Sequence, residues 1–257
     1  MDEIFLIKLF ISFIISGLFA VFALWISEKV GTRIGSLILS IPSTTAFSLL
    51  FIAWIQGIEF AARASVMTTA SLGISFVFVI IFVHLLDRFK LSSLFISLLA
   101  WFIMAGIISL FSFDIYSSFF FSLILIIISF LFLRKINPMK TKIKSTVPRL
   151  ALRFFLVGAI VSIVVLISKF AGPEIGGIFG SFPAVYTATF FIAIKDYGIK
   201  FSKAIAANTV FAYLSFVSYA AAVYFLYPIY GIIFGTIGAY LIYLVVLLTS
   251  NLIIKKN

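Results

Sequence analysis

The sequence predicts an all-α, polytopic transmembrane helix bundle of about nine helices, built as two inverted four-helix repeats joined by a connecting helix. Three observations predict it. The chain of 257 residues is 64% hydrophobic and only 11% charged, a balance no ordinary soluble domain has. Apolar runs of about 20 residues, enough to span the hydrocarbon core, recur along its whole length, and they are continuous rather than alternating, which favours helices over a membrane barrel. Two stretches, "IGSLILSIPSTTAFSLL" at 34–50 and "IGGIFGSFPAVYTATFF" at 175–191, interrupt an apolar run with proline in the same way.

The apolar runs place helices at 4–26, 34–55, 65–86, 91–111, 117–133, 150–167, 175–194, 204–227 and 230–253. The first opens on "MDEIFLIKLF", without the basic start or small-residue cleavage site of a secretory signal, and is expected to be a retained helix. The second and seventh carry Pro42 and Pro183, and the third ends at "DRFK". Residues 91–133 would form a rod of roughly 64 Å, about twice the hydrocarbon thickness. They must therefore turn, and "SFDIYS" at 112–117 is the polar interruption. The basic segment "RKINPMKTKIKSTVPR" at 134–149 is the longest connection. The expected units are a first repeat at 1–111, a connecting helix and loop at 112–149, and a second repeat at 150–257.

Charge tests the helix count. Of the 19 lysines and arginines, sixteen fall on one side of a nine-helix chain, and only Lys8, Arg63 and Lys169 on the other. The positive-inside rule puts the sixteen in the cytoplasm, with the N-terminus outside and the C-terminus inside. The net charge of +11 follows from this sidedness and gives no reason to expect nucleic acid as a partner. The 134–149 loop could contact anionic lipid head groups or serve only as a topology determinant. The chain has no cysteine and one histidine, His84, which excludes disulfides, thiolate metal sites and histidine metal clusters. His84 is expected near the cytoplasmic interface. Arg153 and Lys8 are expected to snorkel to the nearer surface, and Asn208 to bridge helices or touch a ligand.

Residues 27–60 align with 168–201 at an offset of 141, with nine identities that include Gly31/Gly172, Gly35/Gly176, Ser40/Ser181, Pro42/Pro183 and Gly57/Gly198. The shared residues are mostly glycine, proline and serine, which dictate backbone geometry. We read this as an internal duplication. Four helices plus one connector make an odd number, so the second copy enters from the opposite side of the bilayer. Inverted repeats of this kind recur in secondary transporters.

The pattern "IGGIFGSFPAVYTATFFIA" followed by "YGIKFSKA" resembles the GlpM-type membrane protein family and its uncharacterised relatives. The likeness is best over about 150–250 and weaker over 4–111. It rests on Gly176, Gly177, Phe182 and Pro183, with Gly35, Ser36, Ile41 and Pro42 in the first copy, where isoleucine stands before the proline. The resemblance implies a small four-helix membrane unit and an association with envelope polysaccharide production, but no activity.

Each proline removes a helix hydrogen bond and displaces the carbonyl four residues back, here those of Ile38 and Phe179. Each lies nine residues from a charged helix end, Arg33 or Glu174, or roughly 13–14 Å into the core. Both breaks are thus expected near the midplane, where a substrate site between inverted repeats would lie. The candidate substrate-binding residues are Ser40, Pro42, Ser43, Thr44, Thr45, Ser181, Pro183, Tyr186 and Thr187. Gly31, Gly35, Gly172, Gly176, Gly177 and Gly180 have the four-residue spacing that lets membrane helices pack closely, and packing alone could account for the same features.

The sequence has no nucleotide loop, no GxSG step and no paired intramembrane carboxylates, so no enzyme and no cofactor are expected. The expected function is a secondary transporter or flippase-like carrier of a small polar or lipid-linked solute. A channel and a non-transporting scaffold for cell-envelope assembly are the alternatives.

Overall fold

A computed structural model of the chain describes residues 3–29, 41–133, 136, 146–208 and 210–254, apart from the side chains at 24, 27, 28, 208, 210–212 and 251–254. The predicted Gly31, Gly35 and Ser40, most of the basic loop and the Asn208 side chain lie outside this set. The fold is all-α. The helices are α1 (Glu3–Lys29), α2 (Ser43–Gln56), α3 (Ile58–Phe89), α4 (Ser92–Ile108), α5 (Ile115–Leu133), α6 (Val147–Gly180), α7 (Ala184–Tyr197), α8 (Ile199–Asn208) and α9 (Val210–Ile254). Those in α1, α3, α5, α6 and α9 are long and apolar enough to cross a membrane, and the chain is a multi-pass membrane protein.

Glycine determines where several helices start and turn. Gly57 (φ 105°, ψ 160°) and Gly198 (φ 82°, ψ 179°) each end a 14-residue helix and start the next at once. That backbone region is essentially closed to residues with a Cβ. Helix α3 therefore begins at Ile58 and not at residue 65, and the helix expected from 204 begins at Ile199. Gly172 and Gly231 adopt the same region inside α6 and α9 and turn each into two segments.

Helix α3 is the central pillar, with 83% of its apolar window buried, and it packs against α2, α4, α5, α6, α8 and α9. The lipid-facing surface comes from α1, α4, α5 and α9, where side chains such as Phe10, Phe95, Phe120 and Phe234 are exposed. Polar contacts gather at two ends of the bundle. At one end Arg63 pairs with Glu174 at 2.8 Å, Lys8 lies over Trp54, and Gln56 bonds Ser168. At the other, Arg149 pairs with Asp196 and Lys203 with Asp87. Exposed His84 lies near this second end, its Nδ1 3.0 Å from the Ile80 carbonyl.

Helices α1 and α6 cross antiparallel. Phe5 meets Lys169, the Leu9 carbonyl accepts from Ser162, Phe13 touches Gly158, and Gly17 touches Phe154. As the α1 number rises, its α6 partner falls. Gly17 lies so close to Phe154 that a Cβ there would sit 2.7 Å from the ring. A Cβ on Gly158 would likewise sit 2.7 Å from the Phe13 carbonyl oxygen.

Candidate functional site

The two proline breaks are built alike. Pro42 (φ −75°, ψ 60°) and Pro183 (φ −79°, ψ 45°) both stand at N-cap positions. At the first, Ser43 N–H donates to the Ile41 carbonyl at 2.7 Å and Ala46 N–H to Pro42 at 2.8 Å. At the second, Ala184 donates to Phe182 at 2.8 Å and Thr187 to Pro183 at 2.8 Å. Proline has no N–H to continue the preceding helix, so the chain makes a tight turn and restarts. Pro183 lies nine residues from Glu174 and thirteen from Asp196, whose ion pairs mark the two ends of the bundle. At about 1.5 Å per residue it stands well inside the span.

The carbonyls at the second break are paired within the protein. Phe179 accepts from Phe182 N–H at 3.0 Å within the turn. Hydroxyls of α3 meet three others: Thr68 donates to Gly177 at 2.9 Å, Ser71 to Ile178 at 3.3 Å, and Ser75 to Ser181 at 2.9 Å. The Ser71 and Ser181 hydroxyls lie 2.6 Å apart, and Trp101 Nε1–H donates to Ser75 Oγ at 2.9 Å. In the hydrocarbon region of a bilayer this pairing removes a cost of several kcal/mol per orphaned group. Sequence reasoning missed Thr68, Ser71, Ser75 and Trp101. The available signal was the density of small hydroxyls in "ASVMTTASLGIS".

Of the other predicted residues, Pro42 and Thr45 are buried, and Ser43 and Thr44 are half-buried. Thr187 Oγ1 donates back to the Pro183 carbonyl at 2.8 Å. Tyr186, in the first turn of α7, stacks on Tyr213 with centroids 5.3 Å apart. Gly177 lies against the Ala64 backbone of α3, Gly176 against Ser168, and Gly180 near Thr68 and Ser48. Gly172 forms the turn inside α6 and makes no such close approach. The Gly180–Ser48 contact joins the segment before the second break to the helix after the first. The Ser48 hydroxyl there is buried without a partner.

A cavity of about 310 Å³ opens beside the first break. Phe19, Ile41, Ala46, Leu50, Tyr240 and Tyr243 line much of it, and its surface is almost wholly apolar. Leu244, also in its wall, is 40% exposed on the outer face.

Arg153 lies about one turn further along α6 than Arg149, which pairs with Asp196. It is half-buried. The ion pairs among the described residues leave Arg153 without a carboxylate.

Residues 150–256 match the model of a protein family described as "Protein of unknown function (DUF3147)". No curated protein matches the chain. No solved structure matches it either.

Proposed function

We propose that the protein is a membrane carrier, a secondary transporter or flippase-like protein that moves a small polar or lipid-linked solute by alternating access. Its two inverted four-helix repeats, 1–111 and 150–257, are joined by α5 and the basic loop, with the N-terminus outside and the C-terminus in the cytoplasm. The observation that carries this reading is the α1–α6 crossing. Shifted by 141 residues, the Gly17–Phe154 contact becomes Gly158–Phe13, which is also made. A two-fold relation requires such reciprocity, and antiparallel helices require the axis to run across them.

The backbone supports the same reading. Gly57 and Gly198 share an unusual conformation at an offset of 141, and Lys90 (φ 46°) and Gly231 (φ 72°) are both positive at that offset. The family match covers roughly one copy, and the likeness of 150–250 to GlpM-type proteins belongs to the same proposal. Inverted repeats give a carrier two equivalent states that open to opposite sides, with Pro42 and Pro183 where the chain would bend.

Reconstitution into proteoliposomes tests this directly. Uptake of candidate solutes should saturate and accelerate with solute on the far side, and Pro183→Ala and Ser181→Ala should each slow it. Flux that never saturates would point to a channel. If the solute that is carried moves equally well in both variants, the site is misplaced. Because the chain has no cysteine, single-cysteine labelling reads the orientation. Ser112→Cys should react from outside, and Ser145→Cys only after permeabilisation.

A further inference from the structure

We propose that the cavity beside the first break is a binding site for the hydrocarbon chain of a bilayer lipid, entered sideways through a cleft between α1 and α9. The inference goes beyond the carrier reading and borrows from it only the 141-residue repeat.

The walls come from three helices. Phe19 lies on α1, Phe47 and Leu50 on α2, and Tyr240 and Leu244 on α9. Helices α1 and α9 each pack on α2, but no packed interface joins them to each other among the described residues. The space is therefore floored by α2 and flanked by two helices whose outer sides face lipid. Leu244 in the wall is exposed, as are Leu18 and Leu241, the chain neighbours of Phe19 and Tyr240. That exposure carries the cavity to the lipid-facing surface.

The second break shows what closes such a space. Ile41 precedes Pro42 where Phe182 precedes Pro183, and Tyr243 stands 141 residues after Phe102. The Phe182 ring meets Trp101 at 5.1 Å and Phe102 at 5.7 Å, and those two reach Phe179 of α6 at 6.0 and 6.4 Å. Rings thus fill the gap between α4 and α6. At the first break, Ile41 and Tyr243 line open volume instead. Isoleucine before the proline leaves room where the other copy has a ring.

The chemistry of the walls selects the ligand. They are almost wholly apolar, and the Thr236 hydroxyl among them lies 2.8 Å from that of Tyr227. A polar solute would lose its own hydrogen bonds there, and water does not fill a space without polar partners. A volume of about 310 Å³ is at the small end of ligand pockets, so it takes a length of one chain and not a whole lipid. For a carrier, this favours a lipid-linked solute over a free polar one.

The test reconstitutes the full chain in phosphatidylcholine vesicles containing a small fraction of phosphatidylcholine with a diazirine in its acyl chain. Irradiation and peptide mass spectrometry then map the insertions. Phe47, Leu50 and Tyr240, half-buried in the walls, should be labelled alongside exposed Phe95 and Phe234. Ile41→Phe and Ala46→Phe each place a ring in the cavity and should lower wall labelling roughly tenfold, since a close-packed interior admits no second occupant. Phe95 and Phe234 should label as before in both variants, which also reports that the bundle is intact, and either variant suffices if the other misfolds. Unlabelled walls in the wild type would overturn the inference, because the space is then closed by the chain itself. So would wall labelling that the folded variants keep, which marks ordinary surface lipid. None of these readouts needs transport. Chain binding as expected without solute flux would sink the carrier reading alone, and flux with unlabelled walls would sink this inference alone.

Discussion

Lys90 and Gly231 stand 141 residues apart and both hold a positive φ, of 46° and 72°, each at a turn between apolar helical segments. Lysine carries a Cβ into a conformation that glycine adopts freely. Replacing Lys90 with glycine should therefore stabilise the protein by about 0.5–1 kcal/mol, after allowing for the extra entropy of the unfolded chain. Gly198→Ala should cost about 1–3 kcal/mol, because its backbone region is nearly closed to other residues. Thermal melting in detergent measures both.

The bare contacts of the helix crossing make a paired prediction. Gly17→Ala and Gly158→Ala each push a methyl group into the opposing phenylalanine residue. Each should cost about 1–3 kcal/mol, as overpacking does. Gly106→Ala, with nothing within 4 Å of its added methyl, is the control and should not destabilise. Similar losses at 17 and 158 are the expected result.

The fold was legible in the sequence where the backbone is punctuated. Pro42 and Pro183 impose their geometry locally, whatever surrounds them, so the breaks could be read from residue type, whereas the immediate restarts after Gly57 and Gly198 were missed and the next helices begin at Ile58 and Ile199. Ser181 and Tyr186 were named as candidates because they sit near a proline. Ser71, Ser75 and Thr68 were not, because a hydroxyl on an apolar helix reads the same whether it bonds back to its own helix or reaches across to another. Only the packing of α3 on α6 gives them the second break as a partner.

Ser75 serves two buried partners, the Trp101 indole and the Ser181 carbonyl. Ser75→Ala should leave both unsatisfied and cost about 1–3 kcal/mol. Ser75→Thr keeps a hydroxyl and should recover much of that loss. Melting temperatures of the two variants check the ordering.

Asp114 caps α5. Its Oδ1 accepts from Ser117 N–H at 2.8 Å, and its own N–H donates to Ser117 Oγ at 3.0 Å, a reciprocal box. The Ser117 backbone bond holds the Asp114 carboxyl below the usual aspartate range. A lowered folded pKa contributes stability at pH values above the unfolded one, and the contribution disappears as pH falls through the folded value. Stability should thus decline on acidification through and below the ordinary aspartate range. Asp114→Asn, which keeps the acceptor without the charge, should flatten that part of the profile in pH-dependent melts.

The crossing of α1 and α6 has a consequence for assembly. Each of the two helices brings both a glycine and the phenylalanine that fits the other's glycine, so neither is only a key or only a lock. Pieces of chain severed in the long basic connection would carry matching surfaces and could recognise each other without a tether.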